Sequence, residues 1–274
     1  MTIPSSRRVP EIVFRNRVLS EGLRVVAEES AIALSYGGST EAVMMATPAD
    51  LEDFAIGFSL SEGIVGSMDE VEAVEIESAS GGIDLQIRLK DDVDRALRVR
   101  RRAKAGPVGC GLCGVESIEE ALKPAADVTS VSVTLLPSEI AEAMASLSAN
   151  QPLNAETRAV HAAGFYIPGK GMIAVREDVG RHNALDKLIG HLARNDIAGS
   201  AGAVIMTSRL SVELIQKTAK LGSSVLIGIS APTALAIDMA TRAGMTLVAL
   251  ARGEDYEIFT GADRIKMGAK ADAA

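Results

Sequence analysis

The spacing of apolar and polar residues differs between the first hundred positions of this chain and the positions that follow. In the first part, short stretches alternate apolar and polar side chains, as in residues 71–76 and 83–89. A period of two predicts strands with one buried face, which is typical of an antiparallel sheet. Residues 47–60 instead show helical spacing, with Thr47 as the expected N-cap and Pro48 at the first helical position. We therefore predict a small α+β domain for the N-terminal part.

Short, mostly apolar runs characterise the second part, at residues 203–206, 225–229 and 246–250. Stretches with helical spacing separate them, beginning near Ser211 and near Thr233. Strands that are buried on both faces and alternate with helices predict an α/β domain, in which a mostly parallel sheet is covered by helices.

Glycine, proline and polar residues concentrate between these two parts, around residues 105–133. A chain of 274 residues is long enough for two domains. We therefore divide it into an N-terminal domain (residues 1–104), a segment with the cysteine loop and linker (residues 105–133) and a C-terminal domain (residues 134–274).

Both cysteines stand in one glycine-rich loop, Gly109-Cys110-Gly111-Leu112-Cys113-Gly114, directly after a basic run at residues 98–104. Neighbouring arginine and lysine lower the pKa of a cysteine and so favour the nucleophilic thiolate. The pattern predicts sulfur or redox chemistry. Two alternatives stay open at this point. One is half of a zinc site that some of the three histidines would complete, and the other is a thioredoxin-like dithiol.

The net charge of −8 argues against general binding of nucleic acid, whose phosphates would repel the protein. The basic run could instead contact RNA, but no aromatic residues are interleaved with it for stacking on bases. No apolar run approaches the ~20 residues of a membrane helix, and the first residues lack a signal-peptide pattern. We expect a cytoplasmic protein with neither a membrane nor a nucleic-acid partner.

Polar residues cluster at three predicted strand-to-helix junctions, residues 176–183, 207–211 and 230–233. In a parallel sheet such junctions share one edge, where ligands bind. Hydroxyl groups, helix N-termini and arginines would favour an anion there, such as a phosphate or a nucleotide. The residues concerned are Arg181, Ser208, Arg209, Ser211, Ser230 and Thr233. For any one junction, N-capping is the simpler explanation.

Two patterns involve histidine. Asp178, His182 and Asp186 follow at intervals of four in a helix predicted for residues 178–192, so they would share one face. A histidine between carboxylates could act as a general base, although an exposed helix face has the same pattern. His161 has apolar neighbours, and we interpret it as a buried structural residue.

Five segments together resemble one family, the formate dehydrogenase accessory sulfurtransferases, FdhD. The combination of a GCGLCG loop with an EDVGRHNALDK segment is the most specific part of this resemblance, which spans nearly the whole chain. The segments are 48–58 (PADLEDFAIGF), 109–114 (GCGLCG), 177–187 (EDVGRHNALDK), 211–217 (SVELIQK) and 230–236 (SAPTALA).

The resemblance implies a sulfurtransferase that receives sulfur from a cysteine desulfurase as a cysteine persulfide. Cys110 would carry the persulfide, with Cys113 as the second catalytic cysteine. The acceptor would be the molybdenum cofactor bis-molybdopterin guanine dinucleotide (Mo-bisMGD), which is bound as cargo through guanine nucleotide ends that GDP or GMP could imitate. Delivery of sulfur to this cofactor would make formate dehydrogenase active.

The resemblance also implies a homodimer and a cytidine-deaminase-like fold for the C-terminal domain. Deaminase chemistry is not expected, because Ala163 stands where the H-x-E motif of zinc deaminases would need glutamate. No metal ligand is assigned. The alternatives are a cofactor-binding chaperone that moves no sulfur and a zinc-binding protein. The expected cofactor contacts are Leu250, Ala251, Arg252, Gly253, Glu254 and Asp255, together with Ser208, Arg209, Ser230, Thr233 and His182.

Overall fold

The structure is a computed structural model that describes residues 3–104 and 122–266, with residues 100–104 as backbone only. Within these ranges the strands are β1 Ser6–Arg15, β2 Val18–Ala27, β3 Ser30–Tyr36, β4 Ser39–Ala46, β5 Val71–Ala79, β6 Gly82–Leu89, β7 His161–Ile167, β8 Gly171–Asp178, β9 Ala203–Met206, β10 Val225–Gly228, β11 Thr246–Arg252 and β12 Asp255–Thr260. The helices are α1 Leu51–Ser61, α2 Asp91–Lys104, α3 Pro137–Ala149, α4 Pro152–Thr157, α5 Arg181–Arg194, α6 Val212–Leu221 and α7 Ala234–Ala243.

Four strands of the N-terminal part form a sheet in the order β4-β3-β6-β5, which confirms the strands predicted from the alternating pattern. β3 pairs antiparallel with β4 and parallel with β6. Ile32, Leu34 and Leu85 are fully buried and pack with Phe54 of α1 in one apolar cluster. β1 and β2 form a separate two-stranded ribbon.

Six strands form the second sheet, in the order β12-β11-β10-β9-β7-β8. Among the described strands, β9–β10 and β10–β11 are parallel, whereas β7–β8, β7–β9 and β11–β12 are antiparallel. The prediction of a mostly parallel sheet was therefore wrong. Residues 168–170 and 253–254 join consecutive strands, and such short connections permit only antiparallel pairing.

Helices cover both faces of this sheet, as predicted. On one face Leu188 of α5 and Leu214 of α6 belong to the same buried cluster as Leu226 of β10. On the other face Leu147 of α3 packs with Ile205 of β9. The fold is thus a mixed α/β arrangement, while the cytidine-deaminase-like description and the domain limits stay predictions. No helix in the described ranges is both long and apolar enough to cross a membrane.

Helix α2 was not expected from the pattern of apolar residues, yet its charges explain why it forms. Three aspartates lie in its first turn, and the basic run occupies its C-terminal half. This order of charges stabilises a helix through its dipole. Val93 and Leu97 pack on the N-terminal core. The basic run therefore has a structural role in addition to any effect on the cysteines that follow it.

Helices α1 and α5 cross at two glycines, with their backbones in direct contact. A Cβ atom on Gly57 would lie 1.7 Å from the backbone oxygen of Asp186, and one on Gly190 would lie 1.9 Å from that of Asp53. No side chain fits between the helices at this point, so the crossing requires glycine at both positions. The contact joins the N-terminal part of the chain to the second sheet.

Candidate functional site

The polar junctions predicted from the sequence meet at one edge of the second sheet. β8 and β9 both pair antiparallel with β7, so they run in one direction, which β10 and β11 share. Their carboxyl ends consequently lie side by side, next to the first residue of β7. We call this region the polar edge, and its residues are His161, Arg181, Thr207, Ser208, Arg209, Ser230, Thr233 and Leu250.

Backbone hydrogen bonds connect neighbouring junctions along the polar edge. The N–H of Leu210 donates to the carbonyl of Ala231 at 3.2 Å, and the N–H of Thr233 donates to the carbonyl of Leu210 at 3.0 Å. The N–H of Leu250 donates to the carbonyl of Ser230 at 3.4 Å. Three of the residues expected to bind the cofactor therefore belong to one hydrogen-bonded framework.

Positive charge concentrates around His161, which is half-buried at the polar edge rather than fully buried as we had interpreted it. Burial lowers the pKa of His161, and the charges of Arg181 and Arg209 lower it further, while Asp178 opposes them. The imidazole is therefore neutral at pH 7. The Nε of Arg181 is buried without a hydrogen-bond acceptor among the described residues. Two guanidinium groups and an unmet donor favour an anionic ligand.

The hydroxyl groups of Ser208 and Thr233 at the polar edge already have partners within the protein. Ser208 is buried, and its Oγ donates to the carbonyl of Arg209 at 3.0 Å. Thr233 is the N-cap of α7, and its Oγ1 accepts from the N–H of Ala236 at 3.2 Å. N-capping therefore accounts for Thr233 without a ligand. The arginines are the stronger indication of an anion site.

Residues 250–255 form the end of β11 and its turn into β12. Leu250 has a φ of 53°, which is strained for a non-glycine residue by about 1–3 kcal/mol, and it lies where the β11–β12 register shifts. Ala251 is buried in the core. Leu250 belongs to the polar edge because its N–H donates to the carbonyl of Ser230. The exposed residues of the turn are Arg252, Gly253, Glu254 and Asp255.

His182 lies in the first turn of α5 and contacts α6. Its Nε2 is 2.7 Å from a carboxylate oxygen of Glu213 and 3.5 Å from the Oγ of Ser211. Burial lowers the pKa of His182 to about 4 and outweighs the attraction of Glu213. At neutral pH the ring is uncharged, so the contact is a hydrogen bond in which Nε2–H donates to the carboxylate.

The prediction that Asp178, His182 and Asp186 share one helix face was wrong. Helix α5 begins at Arg181, and Asp178 is the last residue of β8. Asp178 is fully buried and lies 2.7 Å from the Nζ of Lys187, which is buried as well. Gly180 and the side chain of Asn183 also donate to Asp178, at 2.7 and 3.0 Å. A carboxylate with these partners has a structural role.

Thr47 completes this buried ion pair from the other half of the chain. Its N–H donates to Asp178 at 2.9 Å, its carbonyl accepts from the Nζ of Lys187 at 2.8 Å, and its hydroxyl accepts from the N–H of Val179 at 3.1 Å. Thr47 is therefore not the N-cap of α1, which follows Asp50. We call Thr47, Asp178, Asn183 and Lys187 the clamp. Part of the EDVGRHNALDK segment thus holds the two halves together.

Asp186, the third residue of the predicted face, is bound within a second ionic cluster between α1, α5 and α6. Its carboxylate accepts from the Nζ of Lys217 at 2.7 and 2.8 Å and from the Oγ of Ser61 at 2.7 Å. Burial raises the pKa of Asp186, and Lys217 opposes this. Asp53 is held in a similar way by Arg176 and Arg194. These carboxylates fasten helices to one another.

Cys110 and Cys113 fall within residues 105–121, outside the described ranges, and their predicted roles stay predictions. Of the basic run, the side chain of Arg98 is described, and it pairs with Asp94 at 2.7 Å within α2. Within residues 3–104 and 122–266, no group of three His, Cys, Asp or Glu side chains could hold a metal ion.

Comparison with known proteins gives consistent matches along the whole chain. The model of the FdhD/NarQ family matches residues 27–266. A sulfur carrier protein FdhD from Agrobacterium fabrum is 58% identical over 95% of this chain and 96% of its own length. One from Brucella abortus is 54% identical over 95% and 97%. A solved structure from Desulfotalea psychrophila, assigned as a formate dehydrogenase accessory protein, has a TM-score of 0.74 at 26% identity and covers 96% of this chain and 100% of its own.

Proposed function

The chain belongs to the FdhD/NarQ family, and we propose that it is a cytoplasmic sulfur carrier that acts for formate dehydrogenase. The observation that carries the proposal is full-length similarity to proteins named sulfur carrier. Cys110 accepts sulfur from a cysteine desulfurase as a persulfide and passes it to Mo-bisMGD. The protein is then a sulfurtransferase as well as a binding protein.

The reaction at Cys110 is a transfer between thiols. The Cys110 thiolate attacks the terminal sulfur of the desulfurase persulfide. A sulfur–sulfur bond forms on Cys110, the donor's bond breaks, and the donor cysteine leaves as a thiolate. Attack by the Cys113 thiolate on the Sγ of Cys110 would then form a disulfide and release the terminal sulfur as hydrosulfide. The two cysteines would thereby supply the two electrons that sulfane sulfur needs to become sulfide.

The polar edge is the proposed site for the phosphates of the cofactor. Arg181 and Arg209 supply charge, and the unmet Nε donor of Arg181 matches a phosphate oxygen. The strained Leu250 lies beside Ser230 in the same framework. These residues would bind and orient the nucleotide ends, while the cofactor's metal takes up the sulfur.

Persulfide mapping tests the role of Cys110. After incubation with a cysteine desulfurase and cysteine, mass spectrometry should show one additional sulfur atom on the peptide that contains Cys110. Cys110→Ala should abolish activation of formate dehydrogenase, whereas Cys113→Ala should retain the persulfide and release sulfide slowly. Activation by Cys110→Ala at the wild-type level refutes the persulfide role.

Titration with GDP tests the polar edge by calorimetry and does not depend on sulfur transfer. Arg209→Gln should weaken GDP binding about tenfold or more, because a hydrogen bond to a charged group contributes roughly 1.5–3 kcal/mol. The control is Arg88→Gln, an exposed arginine of β6 that pairs with Glu72 and Glu75. If Arg209→Gln binds GDP with wild-type affinity, the polar edge is not the binding site for the phosphates.

A cofactor chaperone that moves no sulfur is the second candidate, favoured by the concentration of arginine at the polar edge. It predicts that a variant with both Cys110→Ala and Cys113→Ala binds GDP and activates formate dehydrogenase normally. Bound zinc in the purified protein would instead support a metal-binding role for the cysteines.

We propose that the homodimer forms through the exposed face of the ribbon of β1 and β2. Ile12 lies opposite Glu21 and Phe14 lies opposite Leu19, so these side chains share one face with Leu23. Ile12, Phe14, Leu19 and Leu23 are 66–73% exposed. A two-stranded ribbon is marginally stable in water by itself, and contiguous exposed apolar side chains mark an interface. The same face of a second copy would cover them.

Light scattering tests this arrangement. A variant with Phe14→Ser and Leu19→Ser should have the mass of a monomer, whereas the wild type should have that of a dimer. Ile76→Ser, which removes an exposed apolar side chain from β5, is the control and should leave the dimer intact. A monomeric wild type would contradict the homodimer, and a dimeric double variant would contradict the ribbon as its interface.

A further inference from the structure

A cavity of about 630 Å³ lies beside the outer strand β8. Its walls come from residues 172–175 of β8, from the end of α3 and the start of α4, and from Ala49 and Asp50 before α1. The volume suits a small molecule or several residues of an extended chain. None of the described residues that line it has been assigned to sulfur transfer or to the cofactor.

Three side chains with acceptor oxygens, Asp50, Gln151 and Glu177, belong to the polar part of the cavity wall. Gln151 is 6% exposed, and its Nε2 donates to the carbonyl of Leu147 at 3.1 Å, but its Oε1 is buried without a donor among the described residues. An unpaired buried acceptor costs about 1–3 kcal/mol. Asp50 and Glu177 add two carboxylates. Asp50 lies 3.6 Å from the Nε of Arg176, and Glu177 accepts from the N–H groups of Leu153 and Asn154 at 2.9 and 2.8 Å. The described lining itself contains no lysine or arginine, so its net charge is negative. A ligand with a cationic donor group would complement this wall.

The backbone of β8 is open along the cavity, because β8 is an edge strand. β7 pairs with it on the inner side, and no described strand pairs with it on the outer side. The carbonyl of Val175 accepts from the Nη1 of Arg176 at 2.9 Å, so it points away from β7. In an antiparallel pair the N–H and the carbonyl of one residue point to the same side, which places the N–H of Val175 at the outer edge. An open edge can pair with an extended segment of another chain.

We propose that this cavity binds an extended peptide segment that adds to the outer edge of β8 and places a lysine or arginine side chain among Asp50, Gln151 and Glu177. Main-chain hydrogen bonds to β8 supply affinity, and the acceptor-rich wall selects the basic side chain. The half-buried Ile173 and Val175 line the same cavity and offer apolar contacts to the segment. The partner that fits the site is a protein with an accessible, basic β-strand segment.

Fluorescence anisotropy with the full-length protein tests the proposal. The probe is the fluorescein-labelled peptide Thr-Val-Arg-Val-Thr-amide, and the control peptide has glutamate in place of arginine. We expect saturable binding of the arginine peptide and about tenfold weaker binding of the glutamate peptide, because charge complementarity sets specificity. A third peptide, N-methylated at both valines, lacks the main-chain donors and should also bind about tenfold more weakly. Unlabelled N-acetyl-arginine amide should compete poorly, which distinguishes a strand from a small cation.

Two substitutions locate the binding on the protein. Asp50→Asn suits the backbone at this position, where φ is 52°, because asparagine adopts that conformation readily. It should weaken binding of the arginine peptide by about threefold to fivefold, as expected for one partly exposed ion pair. Gln151→Leu should weaken it about tenfold. Asp238→Asn changes an exposed acid on α7 and is the matched control, with wild-type affinity expected.

Hydrogen exchange should show slower exchange of the β8 amides when the arginine peptide is bound. The proposal is overturned if no saturable binding appears up to about 1 mM peptide. It is equally overturned if the glutamate or N-methylated peptide binds as tightly as the arginine peptide, or if Asp50→Asn and Gln151→Leu both bind like the wild type. None of these measurements uses sulfur transfer, so their failure would leave the sulfur-carrier proposal standing.

Discussion

Replacing Lys187 with methionine measures what the clamp contributes to stability. Lys187 is fully buried, and its Nζ donates to Asp178 and to the carbonyl of Thr47. Methionine fills much of the same space with an apolar chain, so the main loss is the charge and its hydrogen bonds. Asp178 would then be a buried carboxylate without a counter-charge. Removing one partner of a buried ion pair costs about 3–5 kcal/mol, so Lys187→Met should lower the free energy of unfolding by that amount.

Urea unfolding followed by far-UV circular dichroism provides the measurement. Lys170→Met is the matched control, because Lys170 is exposed in the turn between β7 and β8, and its effect should stay within about 0.5 kcal/mol. Adding Asp178→Asn to Lys187→Met removes the unpaired charge, so the double variant should lose about 1–3 kcal/mol less than the sum of the single variants. A loss below about 1 kcal/mol in Lys187→Met, or strict additivity, would refute the assignment of the clamp as a coupled buried pair.

Three further predictions concern single positions. Gly57→Ala should destabilise the protein by about 1–3 kcal/mol, because its Cβ would lie 1.7 Å from a backbone oxygen of α5. The control is Gly66→Ala, whose Cβ would have its nearest neighbour at 3.6 Å, and it should keep the urea midpoint of the wild type. An NMR titration of His182 should give a pKa of about 4. Because this lies below 6.5, the contribution of His182 to stability should be lost as the pH falls from 6.5 toward 4, and titration near 6.5 would contradict burial as the cause. Arg264→Met removes hydrogen bonds to four backbone carbonyls, three of them within residues 128–131, so proteases should cleave this segment faster than in the wild type.

The local pattern of apolar and polar residues predicted most of the strands and helices but not the direction of the strands. The apolar runs that became β9, β10 and β11 are parallel as expected, because each is followed by a helix or begins after one. The additional strand β7 enters the sheet between β8 and β9 and reverses the pairing. The short turn at residues 168–170 was the available sign of that reversal. For α2, few apolar positions marked a helix, and the separation of its charges was the better indication.

The sequence predicted only those parts of the candidate site whose residues lie close to one another along the chain. The junctions of β9 and β10 lie at one edge, as expected, and Arg209 lies there with them. The position of His161 depends on how β7 pairs with strands far along the chain, so its apolar neighbours were misleading. Asp178 resembled a helical residue because of its spacing from His182. One of its partners, Thr47, lies 131 residues away, and no local pattern could reveal that contact.

The glycine crossing of α1 and α5 also determines how the protein would respond to a break in its chain. Residues up to Lys104 are fastened to one side of this crossing, and residues from 122 onward to the other, where Gln216 and Arg264 hold the segments around Lys123 and Val128. A single cut within residues 105–121 would therefore give two polypeptides that remain associated through helix packing and buried ion pairs. The two fragments, produced separately, should reassemble into the same fold. We therefore expect the two parts of the chain to stay together without a covalent connection between residues 104 and 122.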